Sequence, residues 1–133
     1  MGDSVNSRSV LVVDDERNLR KAMQYILEHQ GYRVDSASDG NEALTKIKQN
    51  PPDLVLLDLQ VPVCSGYDVC QSVRADQTLN RVKILIFSAL GKDIAVEKAL
   101  ALGADGYVLK PFCTADLIDT VGRYCGQGDI QNA

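Results

Sequence analysis

The sequence of 133 residues contains four cysteines and a single histidine, and neither residue type occurs in a pattern typical of a metal or catalytic site. The cysteines show no CxxC spacing, and one histidine is too few to complete a Cys/His zinc site, so we expect reduced thiols. With one histidine and no well-placed serine, a Ser-His-Asp hydrolase is also disfavoured. The residues concerned are Cys64, Cys70, Cys113, Cys125 and His29.

Long apolar runs, clustered basic residues and nucleotide-binding glycine motifs are also missing. No stretch approaches the length of a membrane span, and the opening MGDSVNSRSV lacks the basic and then apolar order of a secretion signal. The 14 Lys and Arg residues are scattered in a chain of formal net charge −4, which disfavours direct binding of nucleic acid. Neither GxGxxG nor the P-loop pattern occurs. We therefore expect a cytoplasmic protein that binds neither membranes nor nucleic acid directly.

Length and composition are those of one globular domain. Hydrophobic residues make up 45% of the chain and charged residues 24%, close to the average of globular proteins. A chain of this length can bury one core but is too short for two. The sequence therefore predicts one domain with one functional site.

Short apolar runs rich in β-forming residues alternate with segments of helical periodicity along the whole chain. This succession predicts five strands and five helices. Strands joined by right-handed helical crossovers form a parallel sheet with helices on both faces, the doubly wound α/β class. The predicted strands cover residues 9–13, 32–37, 53–58, 82–89 and 106–110, and the last three helices cover 67–75, 93–104 and 114–125.

End signals delimit the first two helices. Leu19 and Met23 belong to the apolar face of the first helix, which is predicted to stop near Gly31. Asp39 and Glu42 have the spacing of a capping box at the start of the second helix. The prolines at positions 51 and 52 end it.

Polar residues stand where the predicted strands end. Asp14 and Asp15 follow the first strand, Asp58 ends the third, Ser88 lies near the end of the fourth and Lys110 ends the fifth. The carboxyl ends of parallel strands share one edge of the sheet, and doubly wound sheets bind their ligands there. We therefore expect these five side chains to converge.

The acidic pair that follows the first strand raises an electrostatic problem that a cation would remove. Two carboxylates about 4 Å apart repel by roughly 4 kcal/mol at an effective dielectric constant near 20, and Asp58 adds a third charge. Oxygen ligands without histidine or thiolate favour Mg²⁺. A carboxylate beside Mg²⁺ can act as a nucleophile and form an acyl phosphate, while Lys110 and Ser88 stabilise the charge on the phosphoryl oxygens. The constellation therefore predicts phosphoryl transfer to an aspartate.

In this order and spacing, the segments LVVDDE, LVLLDLQVPVCSG, ILIFSA and GYVLKPF resemble the receiver domain of two-component response regulators. The resemblance covers nearly the whole sequence, from about residue 9 to 125. It implies a flavodoxin-like sheet of five parallel strands in the order 2-1-3-4-5. We expect the receiver domain to span residues 8–126, with a flexible N-terminal segment at 1–7 and a polar C-terminal tail at 127–133.

The resemblance also implies a role for each residue at the predicted edge. Asp58 is the phosphoacceptor and becomes 4-aspartylphosphate. Asp14, Asp15 and Asp58 bind Mg²⁺ together with the backbone carbonyl of Gln60. Lys110 pairs with a phosphoryl oxygen. The chain would catalyse only its own phosphorylation and dephosphorylation, and in that sense it would not be an enzyme.

The implied switch consists of Ser88, whose hydroxyl bonds the phosphoryl group, and Tyr107, whose ring rotates inward behind it. The bond between Lys110 and Pro111 is expected to be cis. The donor would be a phosphohistidine on a histidine kinase or a phosphotransfer protein. A downstream output domain or protein, or a second copy of the chain, would dock on the face formed by the fourth helix, fifth strand and fifth helix.

Other interpretations remain open at this point. Asp14 and Asp15 could simply cap the first helix, and Tyr107 could be a half-buried strand aromatic without a switching role. The domain could be a pseudo-receiver, an interaction module that never takes phosphate. A magnesium-dependent aspartyl phosphatase of the haloacid dehalogenase type is disfavoured, because Gln60 replaces the second aspartate of that family's motif.

Overall fold

The computed structural model describes residues 8–61, 63–89, 93–110 and 112–125, without the side chains of residues 88, 89 and 93. Five parallel strands form one sheet in the order β2-β1-β3-β4-β5, which confirms the predicted architecture. The strands are β1 (Ser9–Val13), β2 (Arg33–Ala37), β3 (Leu54–Asp58), β4 (Lys83–Ala89) and β5 (Gly106–Lys110). The helices are α1 (Arg17–His29), α2 (Gly40–Gln49), α3 (Gly66–Ala75), α4 (Asp93–Ala101) and α5 (Thr114–Tyr124), with a short 3-10 turn at Gln77–Leu79.

Two apolar cores cover the two faces of the sheet. Because successive strand residues point to opposite faces, Leu54 and Leu56 pack towards α1 and α5, while Val55 and Leu57 pack towards α2, α3 and α4. Every residue of the central strand β3 is buried, as expected for a strand covered on both sides. Within the described residues, no helix combines the length and the apolar character needed to cross a bilayer.

Glycines in the left-handed region end α1 and α4. At the end of α1, Gly31 has φ +97°, and the amide of Tyr32 donates to the carbonyl of Leu27, which confirms the predicted stop. Gly103 has φ +114° and ends α4 in the same way, through a bond from the Ala104 amide to the Ala99 carbonyl. The predicted extension of α4 to residue 104 was therefore wrong, because the chain turns at Gly103.

Side-chain caps begin α2 and α3. Asp39 accepts a hydrogen bond from the amide of Glu42 at 2.7 Å, as predicted, but the Glu42 carboxylate accepts from the Ser38 amide and not from that of Asp39. Ser65 and Asp68 form a complete capping box at the start of α3, which the sequence analysis did not predict. These caps fix the first residues of the two helices, which both begin after the carboxyl end of a strand.

The outer edge of β2 is closed by side chains. In this parallel strand, residues 33, 35 and 37 bond to β1, so the backbone groups of residues 34 and 36 face away from the sheet. The Ser36 amide donates to the Asp35 carboxylate at 2.8 Å, and Lys46 Nζ donates to the Ser36 carbonyl at 2.6 Å. Gln24 donates to the Val34 carbonyl at 3.4 Å. The edge therefore offers few free groups to another strand.

Removing the lysine should reopen this edge. We expect Lys46→Met to increase self-association, because the Ser36 carbonyl and the Asp35 carboxylate both lose their cationic partner. Size-exclusion chromatography with light scattering over a range of protein concentrations measures the effect. Lys48→Met is the matched control, since Lys48 is exposed on the same helix and its replacement changes the net charge equally. Equal self-association of both variants would contradict the explanation.

Candidate functional site

Strand alternation brings the predicted residues of three strands to the same face at the carboxyl edge of the sheet. Asp14 follows β1, while Asp58 and Lys110 are the last residues of β3 and β5. Each lies two positions after a core residue that packs towards α1 and α5, so all three share that side of the sheet. The preceding core residues are Val12, Leu56 and Val108.

The carboxylates of Asp14, Asp15 and Asp58 meet in a small volume. One oxygen from each lies within 4.8 Å of the other two. Asp14 is 1% exposed and Asp58 is 8% exposed, whereas Asp15 faces solvent. Lys110 Nζ lies 3.5 Å from Asp58 Oδ2 and 3.6 Å from Asp14 Oδ2. One ammonium thus faces three carboxylates, and the cluster carries excess negative charge.

Backbone amides hold one oxygen of each buried carboxylate. The Gln60 amide donates to Asp58 Oδ1 at 3.0 Å, and the Glu16 amide donates to Asp14 Oδ1 at 2.8 Å. Both are turns in which an aspartate bonds the amide two residues later. The second oxygen of each carboxylate, Oδ2, is left on the side of Lys110. The two loops therefore orient the two carboxylates in the same manner.

Arg20 is a contributor that the sequence analysis missed. Its Nη1 donates to the backbone carbonyl of Asp14 at 2.7 Å and ties the first turns of α1 to the loop that carries the acidic pair. An arginine at the end of the first turn of a helix has no local signal for this contact, which depends on how α1 packs beside β1. Glu16 is the N-terminal cap of α1, and its own side chain makes no capping hydrogen bond. Asp14 accepts from the Glu16 amide, so its role at the start of the helix stays open beside its place in the cluster.

The buried carboxylate of Asp14 fits a divalent cation. Burial raises the pKa of this carboxyl, and the charges of Asp58 and Asp15 add to the rise, although the Glu16 amide and Lys110 oppose it. Asp14 Oδ2 is buried and has no hydrogen-bond partner among the described residues. A buried charged oxygen that accepts no hydrogen bond is costly, and the ammonium of Lys110, 3.6 Å away, compensates it only in part. The oxygen-only ligand set is the one that Mg²⁺ prefers.

The predicted roles of four other residues stay predictions. The amide of Gln60 contacts Asp58, and its carbonyl as a metal ligand stays a prediction. Tyr107 on β5 is 48% exposed, so the inward rotation of its ring also stays a prediction. Ser88 belongs to β4, but its side chain lies outside the described part of the structure. Pro111 lies outside the described residues, as do the segments 1–7 and 127–133.

Two positions between Asp58 and α3 are sterically constrained, one by a close approach and one by its backbone conformation. A Cβ on Gly66 would lie 2.6 Å from Leu59 Cα and 2.8 Å from the Asp58 carbonyl oxygen, so the close approach of α3 to the end of β3 requires glycine. Val63 has φ +73°, which is strained for a β-branched residue. Its side chain is 82% exposed and gains little from burial. The loop therefore stores strain beside the acidic cluster.

A cleft of about 270 Å³ lies away from this cluster, between β1, β2 and the end of α2. Its charged residues include Asp35 and Lys46, which pair with each other at 3.1 Å and close the β2 edge. The cleft thus serves the packing of that edge, and the chemistry is concentrated at the carboxyl ends of the strands.

Comparison with known proteins agrees with this geometry. A family model described as the response regulator receiver domain matches residues 10–122. This chain belongs to the response regulator receiver family. Receiver domains are regulatory, and the acidic cluster of this one lies at the carboxyl edge of its sheet.

Relatives and solved structures support the same assignment. The receiver domain is 44% identical over 115 residues to the "probable transcriptional regulator ycf27" of Guillardia theta, covering 86% of this chain and 44% of that protein. The chain thus spans less than half the length of that relative. It is also similar to the chemotaxis response regulator CheY4 of Vibrio cholerae, with TM-score 0.84, 30% identity and coverage of 89% and 98% of the two chains. The Francisella response regulator 1452 receiver domain has TM-score 0.83, 30% identity and coverage of 92% and 99%.

Relief of the strain at Val63 should stabilise the receiver domain. Asparagine adopts the left-handed conformation more readily, so we expect Val63→Asn to raise the free energy of unfolding by about 1 kcal/mol. Denaturant titration followed by circular dichroism measures the change. Val63→Thr keeps the β-branch and should leave the stability unchanged. A similar gain from the threonine variant would show that strain is not the cause.

Proposed function

We propose that this receiver domain accepts a phosphoryl group on Asp58 from a phosphohistidine of a histidine kinase or phosphotransfer protein. The observation that carries the proposal is the position of Asp58 Oδ2, which lies 3.5 Å from Lys110 Nζ within a group of three carboxylates. A nucleophilic carboxylate, a cation for the phosphoryl oxygens and a set of oxygen ligands for a metal are thereby within reach of one reacting phosphorus.

In the proposed reaction, a carboxylate oxygen of Asp58 forms a bond to phosphorus while the P–N bond of the phosphohistidine breaks. The imidazole of the donor keeps the electron pair and takes a proton from solvent. The Gln60 amide keeps the Asp58 carboxylate oriented through Oδ1. The Lys110 ammonium moves from the carboxylates to the negative charge that spreads over the phosphoryl oxygens.

Magnesium is the proposed cofactor, and Asp14, Asp15, Asp58 and the Gln60 carbonyl are its proposed protein ligands. When bound, Mg²⁺ would neutralise the carboxylates and the phosphoryl oxygens during transfer. The lack of a hydrogen-bond donor to Asp14 Oδ2 among the described residues and the oxygen-only character of the cluster support this choice.

The phosphoryl group adds a charge of about −1.5 to −2 at this edge, and we propose that Ser88 and Tyr107 transmit the change to α4, β5 and α5. The Ser88 hydroxyl would bond the phosphoryl group, and the Tyr107 ring would leave solvent. Exposed apolar side chains on this face support a docking role for an output partner or a second copy of the chain. They are Tyr107, Ile94 and Leu100, which are 48%, 82% and 38% exposed.

The proposed receiver domain spans residues 8–126 and acts in the cytoplasm, where its kinase would find it. The relatives named as transcriptional regulators are more than twice as long as the matched part, so we propose that the output of this receiver concerns transcription. Nucleic acid would be bound by a partner or a further domain, because the chain of 133 residues carries a formal net charge of −4 and scattered basic residues.

Loss of the proposed phosphoacceptor should abolish labelling. We expect the wild-type chain to gain one phosphoryl mass when incubated with Mg²⁺ and acetyl phosphate, and Asp58→Asn to gain none, because an amide cannot form the acyl phosphate. Intact-protein mass spectrometry measures both. Asp119→Asn removes an exposed acid on α5 and should label like the wild type.

Two outcomes of this experiment would oppose the proposal. Full labelling of Asp58→Asn would show that Asp58 is not the phosphoacceptor. The pseudo-receiver, which binds partners without taking phosphate, would be favoured by a wild-type chain that gains no mass with acetyl phosphate. The same chain would also show no change in its amide resonances with beryllofluoride.

Removal of the lysine should separate phosphorylation from the response. We expect Lys110→Ala to label about ten- to a hundredfold more slowly, since a hydrogen bond to a charged group contributes about 1.5–3 kcal/mol. Beryllofluoride should shift the amide resonance of Tyr107 in the wild type but leave it in place in this variant. Lys83→Ala removes an exposed lysine from β4 and serves as the control. The same Tyr107 shift in Lys110→Ala would rule out the coupling role of Lys110.

A further inference from the structure

The Lys110 ammonium has a third neighbour besides the two carboxylates. Its Nζ lies 4.7 Å from the centroid of the Phe87 ring, within the range of a favourable interaction between a cation and an aromatic face. Phe87 is 1% exposed, and the Lys110 side chain is 28% exposed. The ring therefore forms the buried floor under a partly exposed ammonium.

The sheet places this ring between the two strands that carry the reacting groups. In the register, Phe87 of β4 pairs with Asp58 of β3 on one side and with Val108 of β5 on the other. Val108 is two residues before Lys110, so the lysine side chain extends from the end of the neighbouring strand over the ring. The position of Phe87 is fixed by the core beneath α1 and α5, which includes Leu85 and Leu117.

The ion pairs alone fix the ammonium poorly. The contacts of Nζ with Asp58 and Asp14 are 3.5 and 3.6 Å long, beyond the length of a good charge-assisted hydrogen bond. A lysine head group on a flexible four-carbon stem has no preferred direction of its own. The rigid, buried ring supplies a surface that an aliphatic side chain of similar size would lack.

We propose that Phe87 is a positioning residue, whose ring holds the Lys110 ammonium between Asp14 and Asp58. The contact joins two side chains of this chain. Its kinetic consequence rests on the proposed function: a preplaced ammonium meets the incoming phosphoryl oxygen without first being ordered.

The contact is tested first without Mg²⁺ or phosphodonor. Protons above an aromatic face resonate upfield, so the ε-methylene protons of Lys110 should move downfield in Phe87→Leu. Lys98 lies 4.5 Å above the Tyr67 ring and is an internal reference that should stay upfield. Leu85→Val perturbs the same core two residues away on the same strand and should leave the Lys110 resonance in place.

The function of the contact is tested by a double-mutant cycle. We expect Phe87→Leu to slow labelling by acetyl phosphate about three- to tenfold. In the Lys110→Ala background, Phe87→Leu should have no further effect, because the ring then has no ammonium to hold. Leu85→Val should not slow labelling in either background. Thermal unfolding of each variant shows how much the core itself is weakened.

The two experiments separate failure of this proposal from failure of the phosphoacceptor function. A Lys110 resonance that does not move in Phe87→Leu overturns the contact, whether or not the chain takes phosphate. A slowing by Phe87→Leu that persists in Lys110→Ala overturns the positioning role, because it would then come from the core. A wild-type chain that is never labelled refutes the phosphoacceptor function, while the resonance experiment still decides the contact.

Discussion

The mutual repulsion of three carboxylates at one edge of the sheet is the constraint around which this receiver domain is organised. Asp14 and Asp58 are buried, and the only described ammonium within ion-pair distance of both is that of Lys110. Burial raises the pKa of Asp14 and leaves one of its oxygens without a hydrogen-bond donor. A site with this excess of negative charge favours the binding of a cation.

The rest of the fold places these charges at little cost to the core. The apolar residues of the strands face α1 and α5 on one side and the other three helices on the opposite side, so polar groups are confined to the strand ends. Close approach at Gly66 brings α3 against the strand that carries Asp58. The strained Val63 lies in the same connection. Strain and unbalanced charge thus occur side by side, as is common at functional sites.

The features that the sequence analysis missed lie at two helix ends and in one tertiary contact. The apolar pattern of α4 continues to residue 104, but the backbone turns at Gly103, and the pattern alone cannot rank a glycine signal against the two further apolar residues Leu102 and Ala104. The Ser65–Asp68 capping box has a local signal, a serine followed three residues later by an acid, but the predicted helix began at residue 67 and left Ser65 in the loop. Arg20 offered no such signal, since its bond to the Asp14 carbonyl depends on tertiary packing.

Periodicity and end signals in the amino-acid sequence were sufficient for the α/β class, the five strands and the convergence of Asp14, Asp58 and Lys110. These features follow from interactions between residues a few positions apart and from the rule that parallel strands end at one edge. The contacts across strands follow from register and packing. Because of them, Asp14 Oδ2 has no hydrogen-bond donor among the described residues, side chains close the β2 edge, and the Phe87 ring lies under Lys110. Residues far apart in the chain make these contacts, and no local pattern encodes their distances.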